Sequence, residues 1–206
     1  MIQLAPTEIE QKSFQIITEE LGDCSFLPEE LLVVKRVIHT SADFDYAKNL
    51  VFSERAVANT VSALKRGCDI VTDTQMAKAG INKTVLNNLG GQIHCFIGDQ
   101  DVAILAKEQN TTRSAVAMEK AATLNKPCIF AIGNAPTALL RLVELYNSGL
   151  INPVLVIGVP VGFVNVVESK ELLQKTNLPY IVANGQKGGS NVAAAIVNAM
   201  LYQISR

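Results

Sequence analysis

Five short apolar segments, separated by segments with a helical pattern, constrain the fold of this chain most strongly. They are rich in β-branched residues and have the sequences CDIVTD, IHCFIGD, PCIFAIGN, PVLVIGVP and LPYIVANG, at residues 68–73, 93–99, 127–134, 153–160 and 178–185. Strands that are apolar on both faces and alternate with helices are typical of a parallel sheet covered by helices on both sides. We therefore predict an α/β fold, a three-layer doubly wound domain with a parallel five-stranded sheet.

The segment before the first of these strands is predicted to be helical. Thr7 and Glu10 have the spacing of a capping box, so a first helix is expected to begin at Glu8 and end near Gly22. Further helices are expected over PEELLVVKRVI, over DFDYAKNL and over SERAVANTVSALKRG, the last with Ser53 as its N-cap and Gly67 as its terminator. No internal repeat or linker interrupts the 206 residues, which predicts a single domain over 1–206.

Composition excludes several classes of protein. The net charge is −1, so the chain is not expected to bind nucleic acid. Although 49% of the residues are hydrophobic, no apolar run approaches the ~20 residues that a membrane-spanning helix needs. The first residues, MIQLAPTEIEQKSF, do not resemble a signal peptide, which predicts a cytoplasmic location. The four cysteines form no CxxC pair and are expected to be free thiols, and the two histidines lack metal-ligand spacing, so no metal site is predicted.

Ligands of doubly wound sheets bind beyond the carboxyl ends of the strands, and the loops there are rich in polar residues and glycine. Several lead into helices, whose first turns offer free N–H groups to phosphates or carboxylates. The alternative is that their glycines and prolines only form tight turns. No GxGxxG follows the first strand, and neither GxxxxGK[ST] nor GxSxG occurs. The candidate binding residues in these loops are Asp73, Asn134, Lys187 and Ser190.

His39 is the candidate acid–base residue, although its position alone leaves two interpretations open. It ends an apolar helix and precedes Thr40, Ser41 and Asp43, which could orient an imidazole or cap the next helix. The local sequence favours the simpler interpretation, a histidine interacting with the dipole of its own helix. His94 lies at a strand start and is expected to be structural.

Ser13, Arg113 and the triplet at 168–170 each allow a functional and a structural interpretation. Ser13 is a small polar residue on an apolar helix face and could bond to the carbonyl of Ile9. Arg113 follows two threonines and suits a carboxylate clamp, although a first-turn arginine can equally face solvent. The triplet Glu168-Ser169-Lys170 is ambiguous, because ordinary surface charges of a helix have the same pattern.

Taken together, these segments resemble the precorrin-8X methylmutase family, also called precorrin isomerase, of cobalamin biosynthesis. The matching segments occur in family order from about residue 11 to about residue 200: KSFQII, PEELLVVKRVIHTSADFDYAKNLVFS, GCDIVTDTQMAKAGI, TTRSAVAME, IGNAPTALLRLVEL, VIGVPVGFVNVVESK and GQKGGSNVAAAIVNAM. Gln75 and Gln186 stand where many relatives are expected to have arginine, and each removes a potential carboxylate contact.

The resemblance implies an isomerase that moves a methyl group from C-11 to C-12 of a tetrapyrrole, precorrin-8 or cobalt-precorrin-8, and gives hydrogenobyrinate or cobyrinate. It implies a flavodoxin-like sheet, a homodimer and no separate cofactor, since any cobalt belongs to the substrate. His39 would be the proton donor and acceptor, and Ser13 would be among the substrate contacts. Together with the candidates from the sequence itself, the expected substrate contacts are Ser13, Thr40, Asp73, Arg113, Asn134, Lys187 and Ser190. The alternatives are a non-catalytic corrinoid carrier with the same fold and a phosphate-dependent α/β enzyme, which would need the missing phosphate motif.

Overall fold

A computed structural model of the protein describes residues 5–205. One mixed sheet forms its centre, with the strands in the order β1-β6-β5-β4-β2-β3. The strands are β1 Leu50–Phe52, β2 Asp69–Thr72, β3 Ile93–His94, β4 Cys128–Ile132, β5 Leu155–Gly158 and β6 Tyr180–Ala183. The helices are α1 Pro6–Leu21, α2 Pro28–Ser41, α3 Tyr46–Asn49, α4 Ala56–Leu64, α5 Gln75–Gly80, α6 Lys83–Asn88, α7 Gln100–Glu108, α8 Arg113–Ala121, α9 Pro136–Asn147, α10 Val166–Gln174 and α11 Ser190–Ser205.

The alternation of side chains along the strands produces two cores, one on each face of the sheet. In β4, Ile129 and Ala131 pack against the helices α2, α4 and α11. Phe130 and Ile132 point to the other face, where α7, α8, α9 and α10 cover them. The predicted arrangement of a sheet between two helical layers is therefore confirmed. No helix among the described residues is long and apolar enough to cross a membrane.

The sheet has six strands, so the predicted number of five is wrong. All five predicted strands are present and parallel to one another, but β1 adds an antiparallel edge, pairing Leu50 with Ala183 and Phe52 with Ile181. The predicted helix over DFDYAKNL includes Leu50, the first residue of this strand, whereas the observed helix α3 ends at Asn49. Helices α6 and α7 were not anticipated.

Two predicted helix caps are also wrong. Helix α1 begins at Pro6, and the carboxylate of Glu8 accepts the N–H of Ala5 at 2.8 Å, so Thr7 lies inside the helix rather than at its cap. Helix α4 begins after Arg55, while Ser53 accepts the N–H of Tyr180 at 2.8 Å. Ser53 therefore attaches the end of β1 to β6 instead of capping a helix.

The packing of α2 against α11 places His39 at the carboxyl edge of the parallel strands. The two helices are antiparallel: Gln203, near the end of α11, donates to the carbonyl of Glu29 at the start of α2. At the opposite end, Thr40 and Ser41 line a cavity with Asn191 and Val192 from the first turn of α11. Since α11 begins directly after the loop that follows β6, the end of α2 lies beside that loop.

Candidate active site

The imidazole of His39 is held by two consecutive residues of α1. Its Nδ1 lies 2.8 Å from the hydroxyl oxygen of Ser13, and its ring stacks on Phe14 with the centroids 5.3 Å apart. The side chain is exposed, and Nε2 has no hydrogen-bond partner among residues 5–205. His39 is thus fixed in orientation through one nitrogen while the other stays available for proton transfer.

Phe14 is part of a stack that sequence reasoning missed. The guanidinium carbon of Arg36 lies 4.6 Å from the centre of the Phe14 ring and 5.0 Å from that of Tyr202 in α11. Arg36 also forms an ion pair with Glu10 of α1. Spacing alone could have indicated that Arg36 lies near His39, because residues three apart are neighbours on the surface of one helix.

The acidic turn after His39 binds Lys187 rather than the imidazole. The ammonium of Lys187 donates to the carboxylates of Asp43 and Asp45, each at 2.6 Å. These hydrogen bonds raise the pKa of Lys187, and the bond from Lys187 holds the pKa of Asp43 below its ordinary value. Lys187 therefore joins the loop after β6 to the turn after α2.

A cavity of about 320 Å³ lies between this turn and the loops after β5 and β6. Its lining includes Thr40, Lys187 and Val161, so two predicted contact residues meet here. Beside it the loop after β5 carries two strongly exposed apolar side chains, Phe163 at 85% and Val164 at 77% of their full exposure. This edge of the sheet thus combines polar groups with an uncovered apolar surface.

Asp73 is buried and its carboxylate is already occupied. Three backbone N–H groups donate to it, those of Gly133 at 2.9 Å and of Asn134 and Ala135 at 2.8 Å each. Burial raises the pKa of the carboxyl, while the three hydrogen bonds act in the opposite direction. In this structure the three N–H groups are therefore occupied by the protein's own carboxylate, and Asp73 shapes the loop that presents the exposed side chain of Asn134.

Ser190 is similarly occupied by the protein itself. Its hydroxyl lies 2.7 Å from that of Thr74, which links the first turn of α11 to the N-cap of α5. The chain approaches so closely here that a Cβ atom on Gly133 would lie 2.7 Å from the Cα of Ser190. Ser190 thus holds three carboxyl-edge loops together.

Arg113 is the first residue of α8 and is exposed. Its N-cap, Thr112, accepts the N–H of Ala115 at 3.2 Å and donates to the hydroxyl of Thr137 in α9 at 2.9 Å. Arg113 forms no ion pair with the residues that the structure describes, so its guanidinium is available to an anion. It lies at the carboxyl edge, because Thr137 is in the first turn of α9, which begins just after the carboxyl end of β4.

The remaining reactive groups lie elsewhere or are inert. Burial opposes ionisation of Asp69, but hydrogen bonds from His94, the backbone N–H of Gln92 and Lys126 outweigh it. They keep the pKa of Asp69 below the ordinary value, which confirms a structural role for His94.

A cavity of about 590 Å³ includes Cys68 and Cys128 at the amino ends of β2 and β4, far from the loops described above. Burial raises the pKa of Cys68 to about 12 and that of Cys128 to about 11, so neither thiol is reactive at neutral pH. All four cysteines are free, as predicted, and residues 5–205 contain no cluster of metal-ligating side chains.

Comparison with known proteins agrees with the family that the sequence resembles. The family model described as precorrin-8X methylmutase matches residues 8–203. The chain is 47% identical to the cobalt-precorrin-8 methylmutase of Salmonella typhimurium, covering 97% of this chain and 96% of that protein. It is 38% identical to the precorrin-8X methylmutase of Pseudomonas aeruginosa, with 93% of each chain covered.

A solved structure has the same fold. The precorrin-8X methylmutase of Thermus thermophilus superimposes with a TM-score of 0.87 at 37% identity, over 96% of this chain and 97% of that one. Similarity in sequence and in structure thus extends over almost all of the described residues, including both elements that hold His39. The chain belongs to the precorrin-8X methylmutase family.

Proposed function

We propose that this protein is an isomerase of cobalamin biosynthesis that moves a methyl group from C-11 to C-12 of precorrin-8 or cobalt-precorrin-8. The observation that carries the proposal is the near full-length similarity to proteins named as methylmutases of these two substrates. The edge of the sheet described above supports it, because a flat, mostly apolar ring with carboxylate side chains needs an apolar surface bordered by polar groups.

His39 is the proton donor and acceptor in this proposal. Protonation of the macrocycle stabilises the charge that develops as the methyl group moves, and the same proton returns to His39 when the product forms. The Ser13 hydroxyl can donate to a neutral Nδ1 or accept from a protonated one, so it can hold the ring in both states. A positioned general acid contributes about 10²- to 10⁴-fold in rate.

The residues expected to serve the substrate fall into two groups, direct contacts and positioning residues. Thr40, Arg113 and Asn134 have exposed side chains and could bind carboxylates directly, and Lys187 could do so in competition with its two aspartates. Three others, Ser13, Asp73 and Ser190, are bonded within the protein and would act by positioning His39 and the loops. Binding and positioning supply the remaining acceleration.

The finer features of the expected family are part of the same proposal. The parallel strands have the order β3-β2-β4-β5-β6, which corresponds to 2-1-3-4-5 and supports a flavodoxin-like sheet extended by one antiparallel strand. We also propose a cytoplasmic homodimer that needs no cofactor. The native mass in solution tests the dimer, and turnover by chelator-treated protein without additives tests the cofactor requirement.

The absorption spectrum of purified protein mixed with precorrin-8, and separately with cobalt-precorrin-8, tests the function. Conversion to the spectrum of hydrogenobyrinate or cobyrinate is expected, and the faster of the two identifies the preferred substrate. Binding without conversion would contradict the isomerase and favour a carrier. The variant His39→Ala should lose turnover and keep its affinity, whereas His94→Ala, at the other histidine, should retain turnover in the folded fraction.

A further inference from the structure

Lys170 is a buried lysine that the proposed mechanism does not use. It lies in α10 and is only 1% exposed. Its ammonium donates to the carbonyl of Gly185 at 2.6 Å and to that of Lys187 at 2.9 Å. It forms no ion pair with a carboxylate of residues 5–205, and burial lowers its pKa to about 8.

The two carbonyls belong to the loop after β6, which lies against the site. The loop's own lysine, Lys187, forms hydrogen bonds with Asp43 and Asp45 in the turn that follows His39. Its Gln186 carbonyl accepts the N–H of Gly162, at the base of the apolar loop after β5, at 3.1 Å. Lys170 therefore lies beneath a loop that connects both neighbouring parts of the site.

If Lys170 served only to fill space, its buried charge would destabilise the protein. An ammonium buried without a counter-ion loses its hydration, and two carbonyl dipoles replace only part of that stabilisation. A methionine of similar length would fill the same space without that cost. A function that uses the charge and its two hydrogen bonds accounts for a lysine at this position.

We propose that Lys170 is a positioning residue that holds the 185–187 loop in the shape that binds a carboxylate of the tetrapyrrole, and that its unpaired charge attracts that carboxylate through the loop. This inference rests on the proposed function. The carboxylate does not touch Lys170, because the loop covers it. The substrate carboxylate would supply the negative charge that residues 5–205 do not place beside the ammonium of Lys170.

The test compares two pairs of variants. Lys170→Met should raise KM about tenfold or more while kcat changes less than about threefold, because the loop and not the acid–base group is disturbed. Lys170→Arg, which keeps the charge and the donors, should restore much of the affinity. The matched control is Lys175→Met, an exposed lysine at the end of the same helix, with KM expected to stay at the wild-type value.

The second pair tests the loop if Lys170→Met does not fold. Gly185 has a φ of +77° and Gly149 a φ of +70°, and an added Cβ atom would meet nothing within 4 Å at either position. Alanine therefore strains the backbone equally at both, but only Gly185→Ala should raise KM. An unchanged KM in Gly185→Ala, or a Lys170→Met enzyme with wild-type KM, would overturn the proposal. If wild-type protein binds without turnover, the proposed function fails, and the Kd of the same variants still decides the role of Lys170.

Discussion

The hydrogen bonds of Asp73 make Asp73→Ala the most informative substitution for the loop at 133–135. Alanine removes the acceptor of three N–H groups, of which those of Gly133 and Ala135 belong to buried residues. Leaving a buried donor unsatisfied costs about 1–3 kcal/mol. Counting only these two N–H groups, we expect the free energy of unfolding to fall by about 2–6 kcal/mol. A loss of this size is a large part of the stability of an ordinary domain.

Urea denaturation followed by circular dichroism measures this loss. Asp73→Asn keeps one acceptor oxygen and should fall between wild type and Asp73→Ala. The control is Asp99→Ala, which breaks a solvent-exposed ion pair with Lys120 and should change the free energy of unfolding far less than Asp73→Ala does. An Asp73→Ala protein within about 1 kcal/mol of wild type would refute the reasoning, because it would mean that water replaces the carboxylate without cost.

Three further substitutions test the site and the fold. Ser13→Ala should lower kcat roughly tenfold with little change in KM, since it frees the imidazole of His39 and removes no substrate contact. A steady-state assay at saturating substrate measures kcat, and a wild-type value would contradict a role for the hydroxyl. Phe163→Ser should leave the melting temperature unchanged, because the side chain is 85% exposed, and should raise KM about tenfold if the ring of the substrate covers it. Asp69→Asn should destabilise the protein above pH 3.8, the ordinary pKa of this carboxyl, and the difference should vanish as the pH falls through the lower pKa of the folded state. A difference in unfolding free energy that does not shrink as the pH falls below 3.8 would contradict a contribution from the ionised carboxyl.

The parallel strands were predictable because they lie in short segments rich in apolar, β-branched residues, as expected of strands that are mostly buried on both faces. Strand β1 was not, because Leu50–Phe52 is short and continues a helical pattern. Its pairing with β6 depends on a segment far along the chain, which brings Ala183 opposite Leu50. Local pattern carries no information about such an edge strand.

In the candidate site, too, local sequence identified individual residues but not the partners that lie far away along the chain. His39 and Ser13 were identified separately, and the packing of α1 on α2 brings them together although 26 positions separate them. The role of Asp73 could not be inferred, because its partners are backbone N–H groups about 60 positions later, which no residue type reveals. The two ion pairs of Lys187 could not be inferred either, because its partners, Asp43 and Asp45, lie more than 140 positions earlier.

The attachment of α1 has a consequence for the order in which the protein loses activity and structure. Ile17 is the only buried side chain of α1 among those the structure describes, so little apolar surface holds this helix on the domain. A segment with so few buried contacts opens at a lower free energy than the sheet, as native-state hydrogen exchange would measure. Each opening removes Ser13 and Phe14 from His39 while β2, β4 and β5 remain folded. We therefore expect heating to inactivate the protein reversibly at temperatures below its global melting, with the amides of α1 exchanging first.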